Sequence, residues 1–406
     1  MKIRTLGAMA LIASLSFAVS CQKKDNSWKN IPYDKAEVAS GAVTATVNGV
    51  AATSGNVQLT AVSKTEGMLV MENLIPGYGS VSAKAALSKV EDTSYDFSCE
   101  TALTHPSVVL PRSSASREVY DLYVQGNITT EGKITLQAEI KVKNAALCGT
   151  WNLKRNAGLM ENGQTPLPGP LELKWVVADE AVNKRLSTTV CPLANMWGGM
   201  IVADVLNKVT FLENGNITAE YYTPEKVGMY SPDIDKESKT AYYPATTHAK
   251  DGSNDWIASP AANYAFWYIG GDVFYVVPNA AEIAASQGKP VSFDLSKLAK
   301  LADYGVNVIE LAAIAAGVIN EGVDLKYTLT ESALDIYLDK DSLDPLVRAL
   351  LSDPTKLDAI VEELKKGENG MYITMGFSLL GISKPTDLLP LWNSTTTFEL
   401  TLHLEK

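Results

Sequence analysis

Between Gly41 and Val142 apolar and polar positions alternate with a period of two. Val43, Ala45 and Val47 interleave with Thr44, Thr46 and Asn48, and Val57, Leu59 and Ala61 repeat the device. The cleanest run sets Ile134, Leu136, Ala138, Ile140 and Val142 against Thr135, Gln137, Glu139 and Lys141. Successive side chains of a strand point to opposite faces, so this pattern predicts antiparallel strands with one face on a core and one in water. Glu131-Gly132, between Ile128-Thr129 and Ile134, reads as a hairpin turn. Residues 104–118, with His105-Pro106, Pro111 and a Ser/Arg-rich stretch, read as a loop. An all-β domain is expected over residues 38–146.

The pattern changes after Cys148. Val209–Tyr222 reads as a hairpin around Asn214-Gly215, two residues that tolerate positive φ. Tyr264–Val277 reads as a second hairpin, pivoting on Gly270-Gly271. Helical insertions are expected near 196–207, 295–319 and 345–366. Leu295–Ile319 is apolar almost all round, and a helix without a polar face must be buried or meet lipid. Lys326–Leu338 reads as a hairpin turning near Glu331-Ser332. Asp344-Pro345 and Asp353-Pro354 each read as an N-cap with proline in the first turn, the second helix ending at Gly367. Thr396–Leu404 alternates again and predicts a closing strand. The expected fold class is a β-rich α+β protein: an antiparallel all-β domain, then a β-domain with helical insertions over 147–406.

The N-terminus carries a different signal. Lys2 and Arg4 precede an uncharged run, Leu6–Val19, too short to span a bilayer and ending in small residues, as a secretory signal does. Ala18, Val19, Ser20 and Cys21 resemble the lipobox of bacterial lipoproteins. That resemblance implies cleavage after residue 20 and acyl chains on Cys21. Two or more acyl chains anchor stably, each buried CH₂ contributing about 0.8 kcal/mol. The polar residues 21–37 then read as a flexible tether. Surface-export signals of Bacteroidetes lipoproteins are acidic after the cysteine. Lys23 and Lys24 leave the choice between a periplasm-facing and a cell-surface outer-membrane lipoprotein open.

Cys148-Gly149-Thr150-Trp151 resembles the opening of lipocalin-like (calycin) domains, in which the tryptophan plugs one end of a barrel. Together with the lipobox and the Asn214-Gly215 hairpin, it resembles an uncharacterised family of Bacteroidales lipoproteins of similar length, which implies no known activity.

Removal of residues 1–20 deletes Lys2 and Arg4 and no acid, taking the formal net charge from −11 to −13. With no basic stripe, nucleic acid is not an expected partner. The only histidines are His105, His248 and His403, none at metal spacing. Gly376–Gly381 is one residue too long for a nucleophile elbow. Asp339, Asp341 and Asp344 lack the glycine and glutamate of a calcium loop and read as a polar turn with a helix cap. Asp341-Ser342-Leu343 matches a loose pattern resembling Bacteroides O-glycosylation sites, at Ser342. Two of Cys99, Cys148 and Cys191 could pair in an exported protein; equally, all three could be buried thiols. No metal and no cofactor is expected.

Aromatic residues remain. Alternation places Tyr264, Phe266 and Tyr268 on one strand face, opposite Trp267. With Trp151 and Phe274 they are the candidate lining of a ligand site, set against the simpler reading of a sheet core. The expected function is a membrane-anchored, non-enzymatic binding module for a lipid or other apolar or amphipathic small molecule. The alternative is a structural or glycan-binding accessory lipoprotein of a nutrient-uptake complex, its protein partners unspecified.

Overall fold

The computed structural model describes residues 26–104, 118–163, 166–222, 230–245, 256–286, 300–366 and 370–406. The signal segment, Cys21, His105 and His248 lie outside them. The chain is β-rich, 43% strand and 28% helix, and builds two curled half-barrel sheets.

The first sheet holds β1 (Ala36–Glu37), β2 (Val43–Val47), β3 (Val50–Ala51), β4 (Asn56–Ala61), β5 (Glu66–Glu72), β6 (Ser80–Glu91), β7 (Ser94–Thr104), β8 (Glu118–Thr129) and β9 (Ile134–Val142). Their order is β1-β4-β5-β6-β7-β8-β9-β2-β3. The alternation reads directly into burial: Ile134, Leu136, Ala138, Ile140 and Val142 are buried, and the residues between them are exposed. One pairing departs from the antiparallel expectation. β2 runs parallel to β9, Val43 opposite Ile134 through Val47 opposite Ala138. A tight hairpin cannot make such a pair, so the chain travels through six strands before β9 returns to β2.

The expected tether is also shorter. Ser27–Asn30 forms a 3-10 turn, Ile31 is buried in the core and Trp28 packs on it. β1 adds to β4 at the sheet edge, so residues 26–37 belong to the folded body.

The second sheet orders β17-β14-β13-β10-β22-β21-β20-β19-β18, with β12 also on β22. These are β10 (Gly149–Leu153), β12 (Leu171–Val177), β13 (Leu206–Phe211), β14 (Ile217–Tyr221), β17 (Ile257–Ala258), β18 (Ala265–Gly270), β19 (Val273–Pro278), β20 (Val323–Leu329), β21 (Ala333–Asp339) and β22 (Thr395–Glu405). A small third sheet joins β11 (Asn156–Gly158), β15 (Asp233–Asp235) and β16 (Thr240–Tyr242). The hairpins fall where the turn residues place them. Gly215 has φ +80°; the β18–β19 turn sits one residue on from expectation, at Gly271-Asp272, with Gly271 at φ +68°. A single bridge from Asn216 to Phe266 brings the tip of the β13–β14 hairpin against β18.

Helices α1 (Glu180–Arg185) and α2 (Cys191–Val205) precede β13. They cover β12, an edge strand whose open N–H groups find side-chain acceptors: Asn195 Oδ1 takes Leu173 N–H at 2.5 Å, and Asn183 Oδ1 takes Val177 N–H at 3.3 Å. An edge so satisfied cannot template another strand. Arg155 is buried and donates to the carbonyls of Ala203, Leu206 and Tyr243 at 2.9, 3.0 and 3.2 Å. It thereby satisfies the orphan acceptors where α2 ends.

Later helices are α3 (Ala280–Ser286), α4 (Val308–Glu321), α5 (Lys340–Leu350), α6 (Pro354–Leu364), α7 (Gly370–Leu380) and α8 (Leu388–Asn393). Two expectations are corrected. The helix expected over 295–319 begins outside the described residues, and residues 300–319 are not one helix: a 3-10 turn over Lys300–Tyr304 stops at Gly305, φ +81°, and α4 starts after the Asn307 cap. Nor is α4 fully buried; Ile309 is 82% exposed. The helix expected at Asp344-Pro345 starts at Lys340, capped by Asp339. Asp344 instead accepts from Arg348 Nε at 2.5 Å and Trp392 Nε1 at 2.9 Å, and Pro345 sits inside the helix. Among the described residues no helix is long and apolar enough to cross a membrane.

The two sheets share one core. A continuous cluster of buried side chains runs from Val43, Leu59 and Leu122 in the first to Trp151, Trp267 and Leu404 in the second.

Candidate functional site

The aromatic residues singled out from sequence lie in that core. Trp151, Phe266, Tyr268 and Phe274 are each at most 1% exposed, and Tyr264 is half-buried. Alternation along β18 holds, but both faces are covered. Tyr268 stacks on Tyr275 at 4.8 Å and meets the edge of Tyr120, from the first sheet, at 5.7 Å. Trp267 faces the other way, its centroid 5.5 Å from Phe211 and 6.3 Å from Phe274. Phe274 therefore lies opposite Phe266 and Tyr268, not beside them. Trp151 donates to Leu147 O at 2.9 Å, with Lys406 Nζ 4.9 Å from its ring centre. These rings fill space; they do not line it.

Cys99, Cys148 and Cys191 are unpaired. Burial pushes the Cys99 thiol up to about 11 and raises the other two, so thiolate chemistry is suppressed at all three. Ser342 donates both its N–H and its hydroxyl to Asp339 Oδ1, at 2.9 and 2.8 Å, and is held in the α5 cap. Among the described residues no three His, Cys, Asp or Glu side chains gather as metal ligands.

The concave feature lies elsewhere, on the wet face of the first sheet. Three adjoining depressions of about 450, 530 and 490 Å³ all meet at Ala86. Their cause is side-chain size. Ala86 and Ser98 are cross-strand neighbours on the outer face, and both are exposed and small. Gln125 and Gln137 continue the same row across β8 and β9; Lys84, Glu100, Tyr123 and Glu139 flank it on one side, Asp96 and Asn127 on the other. A low floor on β6 and β7, edged by taller polar side chains that include Gln125 and Gln137 on β8 and β9, makes the trough.

Two contacts fix the walls. Gln125 Nε2 donates to Gln137 Oε1 at 2.8 Å, and Asn127 Nδ2 donates to Asp96 Oδ1 at 2.7 Å. Each pair uses one donor and one acceptor and orients the remaining amide or carboxylate edge outward. Tyr123, 40% exposed, offers a ring face; Glu100 beside it pushes its phenol up, so the hydroxyl stays neutral. Beneath the trough, Gly126 lies against the Phe97 ring. A Cβ there would come 2.3 Å from Thr135 O and 2.5 Å from Phe97 Cζ.

Alternation made the wet face legible, but none of these trough residues stood out. The available signal was the small pair Ala86 and Ser98 among long polar outward positions.

His403, not selected as catalytic, is a half-buried structural latch. Its Nδ1 is 2.7 Å from Asp335 Oδ1 on β21. Nε2 lies 3.3 Å from Glu172 Oε2 on β12, close enough for charge pairing although outside hydrogen-bond geometry. Burial pulls the imidazole down, and Lys154 adds to that, but Glu172 and Asp335 more than offset both and hold it above 6.5. Glu172 is held below 4.5 chiefly by His403. A raised histidine contributes stability that is full below its unfolded value and is lost as pH rises through the folded one; the depressed Glu172 loses its share as pH falls through its own folded value. The melting temperature of wild type relative to His403→Gln is therefore expected to be highest in mildly acidic buffer and to fall back above neutrality. Parallel melting-versus-pH curves for the two proteins would contradict the latch.

No protein-family model, curated protein or solved structure matches the chain.

Proposed function

We propose that the protein is an exported, membrane-anchored, non-enzymatic binding module that takes an oligosaccharide in the trough of its first sheet. The observation that carries this reading is the trough itself: a broad, open, polar depression whose amide and carboxylate edges are already paired and aimed outward, beside an exposed tyrosine ring. Sugars present vicinal hydroxyls to planar polar groups and an apolar ring face to aromatics, and preoriented partners lower the ordering cost of binding. The location rests on the lipobox at Cys21. The rings expected to line an apolar-ligand site pack on one another instead, which favours the trough over that reading.

Ala86→Trp fills the floor of the trough from an exposed strand position where tryptophan is a good strand former. A glycan array is expected to retain the wild-type chain and to lose the variant. An array blank for wild type, with a lipid co-purifying in native mass spectrometry, would discard the proposal for the apolar-ligand one. Labelled palmitate entering wild type but not Cys21→Ala tests the anchor separately.

A further inference from the structure

The charges around the trough carry the reading further. Glu66, Asp96, Glu100 and Glu139 line it, against the single cation Lys84. The whole chain is also acidic, with a formal charge of −11. A cleft lined by one sign of charge concentrates its field and repels ligands of the same sign. The remaining hydrogen-bonding groups are uncharged: the amides of Gln125, Gln137 and Asn127, the Ser98 hydroxyl and the Tyr123 phenol.

The shape adds a direction. Two of the depressions lie side by side and each reaches across the four strands β6 to β9, while the third extends from β6 onto β5; neighbouring strands lie about 4.8 Å apart. Register places Ser98 opposite Gln125 and Gln125 opposite Gln137, so hydrogen-bonding groups recur at each strand step. A chain of hydroxyl-bearing rings laid across the strands meets a fresh polar group at each step from β7 to β9.

Resting on the oligosaccharide reading above, we infer that the trough selects a neutral, extended glycan lying across the strands and rejects polyanionic ones. Binding then owes little to ion pairing, so added salt leaves it unchanged.

Affinity electrophoresis of the full chain decides this, in gels containing a neutral β-glucan, a neutral galactomannan, heparin or polygalacturonate. The expected result is retardation by a neutral polymer, constant from low to high salt, and none by heparin or polygalacturonate. Ala86→Trp and, as a milder change, Gln125→Ala are expected to weaken retention about tenfold or more, equivalent to about 1.4 kcal/mol. Retardation by a polyanion, fading with salt and abolished by Ala86→Trp, would overturn the neutral class while keeping the trough as a glycan site. Retardation by no polymer, or by a neutral polymer equally in both variants, would overturn both readings.

Discussion

Truncation of Trp267 to Ala is expected to cost about 3–5 kcal/mol of folding free energy. The side chain is wholly buried and its indole N–H donates to Leu212 O at 3.0 Å. Its backbone is engaged too: N–H to Gly215 O at 2.8 Å, and its carbonyl accepts the Tyr120 hydroxyl at 2.9 Å. Truncation leaves a cavity between Phe211 and Phe274 and removes one of the two hydrogen bonds to the Leu212 carbonyl, which keeps the Gly215 N–H at 3.0 Å. Trp267→Phe keeps most of the apolar contact and loses the hydrogen bond, at about 1–3 kcal/mol. Urea unfolding measures both; a loss under about 1 kcal/mol for Trp267→Ala would mean that the neighbouring rings collapse into the gap.

The second large effect concerns Asn263. It is 3% exposed and holds a left-handed backbone, φ +58°. Its Nδ2 donates to Val47 O of the first sheet at 2.7 Å. Asn216, at the tip of the β13–β14 hairpin, meets it twice: Asn263 N–H donates to Asn216 Oδ1 at 2.8 Å, and Asn216 Nδ2 donates to Asn263 Oδ1 at 2.9 Å. Asn48 Nδ2 adds a bond to Asn214 O at 3.0 Å. Asn263→Ala removes the side-chain bonds to the Val47 carbonyl and from the Asn216 amide, which keeps Asn214 Oδ1 at 3.3 Å, at about 0.5–1.5 kcal/mol each. It also keeps a Cβ in a backbone region that costs about 1–2 kcal/mol. We expect a total loss of about 2–3 kcal/mol. Asn263→Gly removes the conformational part and should recover about 1 kcal/mol of it. Because these bonds tie one sheet to the other, near-ultraviolet dichroism and intrinsic fluorescence, coincident in wild type, should report separate transitions in Asn263→Ala. Coincident transitions with a small loss would show that the aromatic contacts alone hold the sheets together.

Local chemistry made much of this fold legible. The period-two runs of the first sheet translate one for one into buried and exposed faces, because a strand has only two faces. Asn214-Gly215 marks its hairpin because few residue pairs accept its backbone. Asp353-Pro354 starts α6 as expected. What failed depends on partners remote in sequence. Asp344 reads as a cap, but Trp392 and Arg348 claim its carboxylate, and Asp339 caps instead. The parallel β2–β9 pair needs the whole meander to be in place first. Alternation makes one face of β18 a candidate ligand lining beside the simpler reading of a sheet core, yet Phe266, Trp267, Tyr268 and Ile269 are consecutive large apolar residues. An unbroken run of that kind is the mark of a strand covered on both sides. The trough was invisible for another reason: concavity belongs to a patch spanning several strands, and no single stretch of sequence records it.

The docking of residues 26–37 onto the first sheet has a mechanical outcome. With Cys21 acylated as proposed, five residues separate the bilayer from the folded body, and even fully stretched they reach only about 17 Å. Such a body rides close against its membrane, unable to sweep a wide volume. Any partner must come to it, either diffusing through the adjacent space or fixed beside it in the same leaflet.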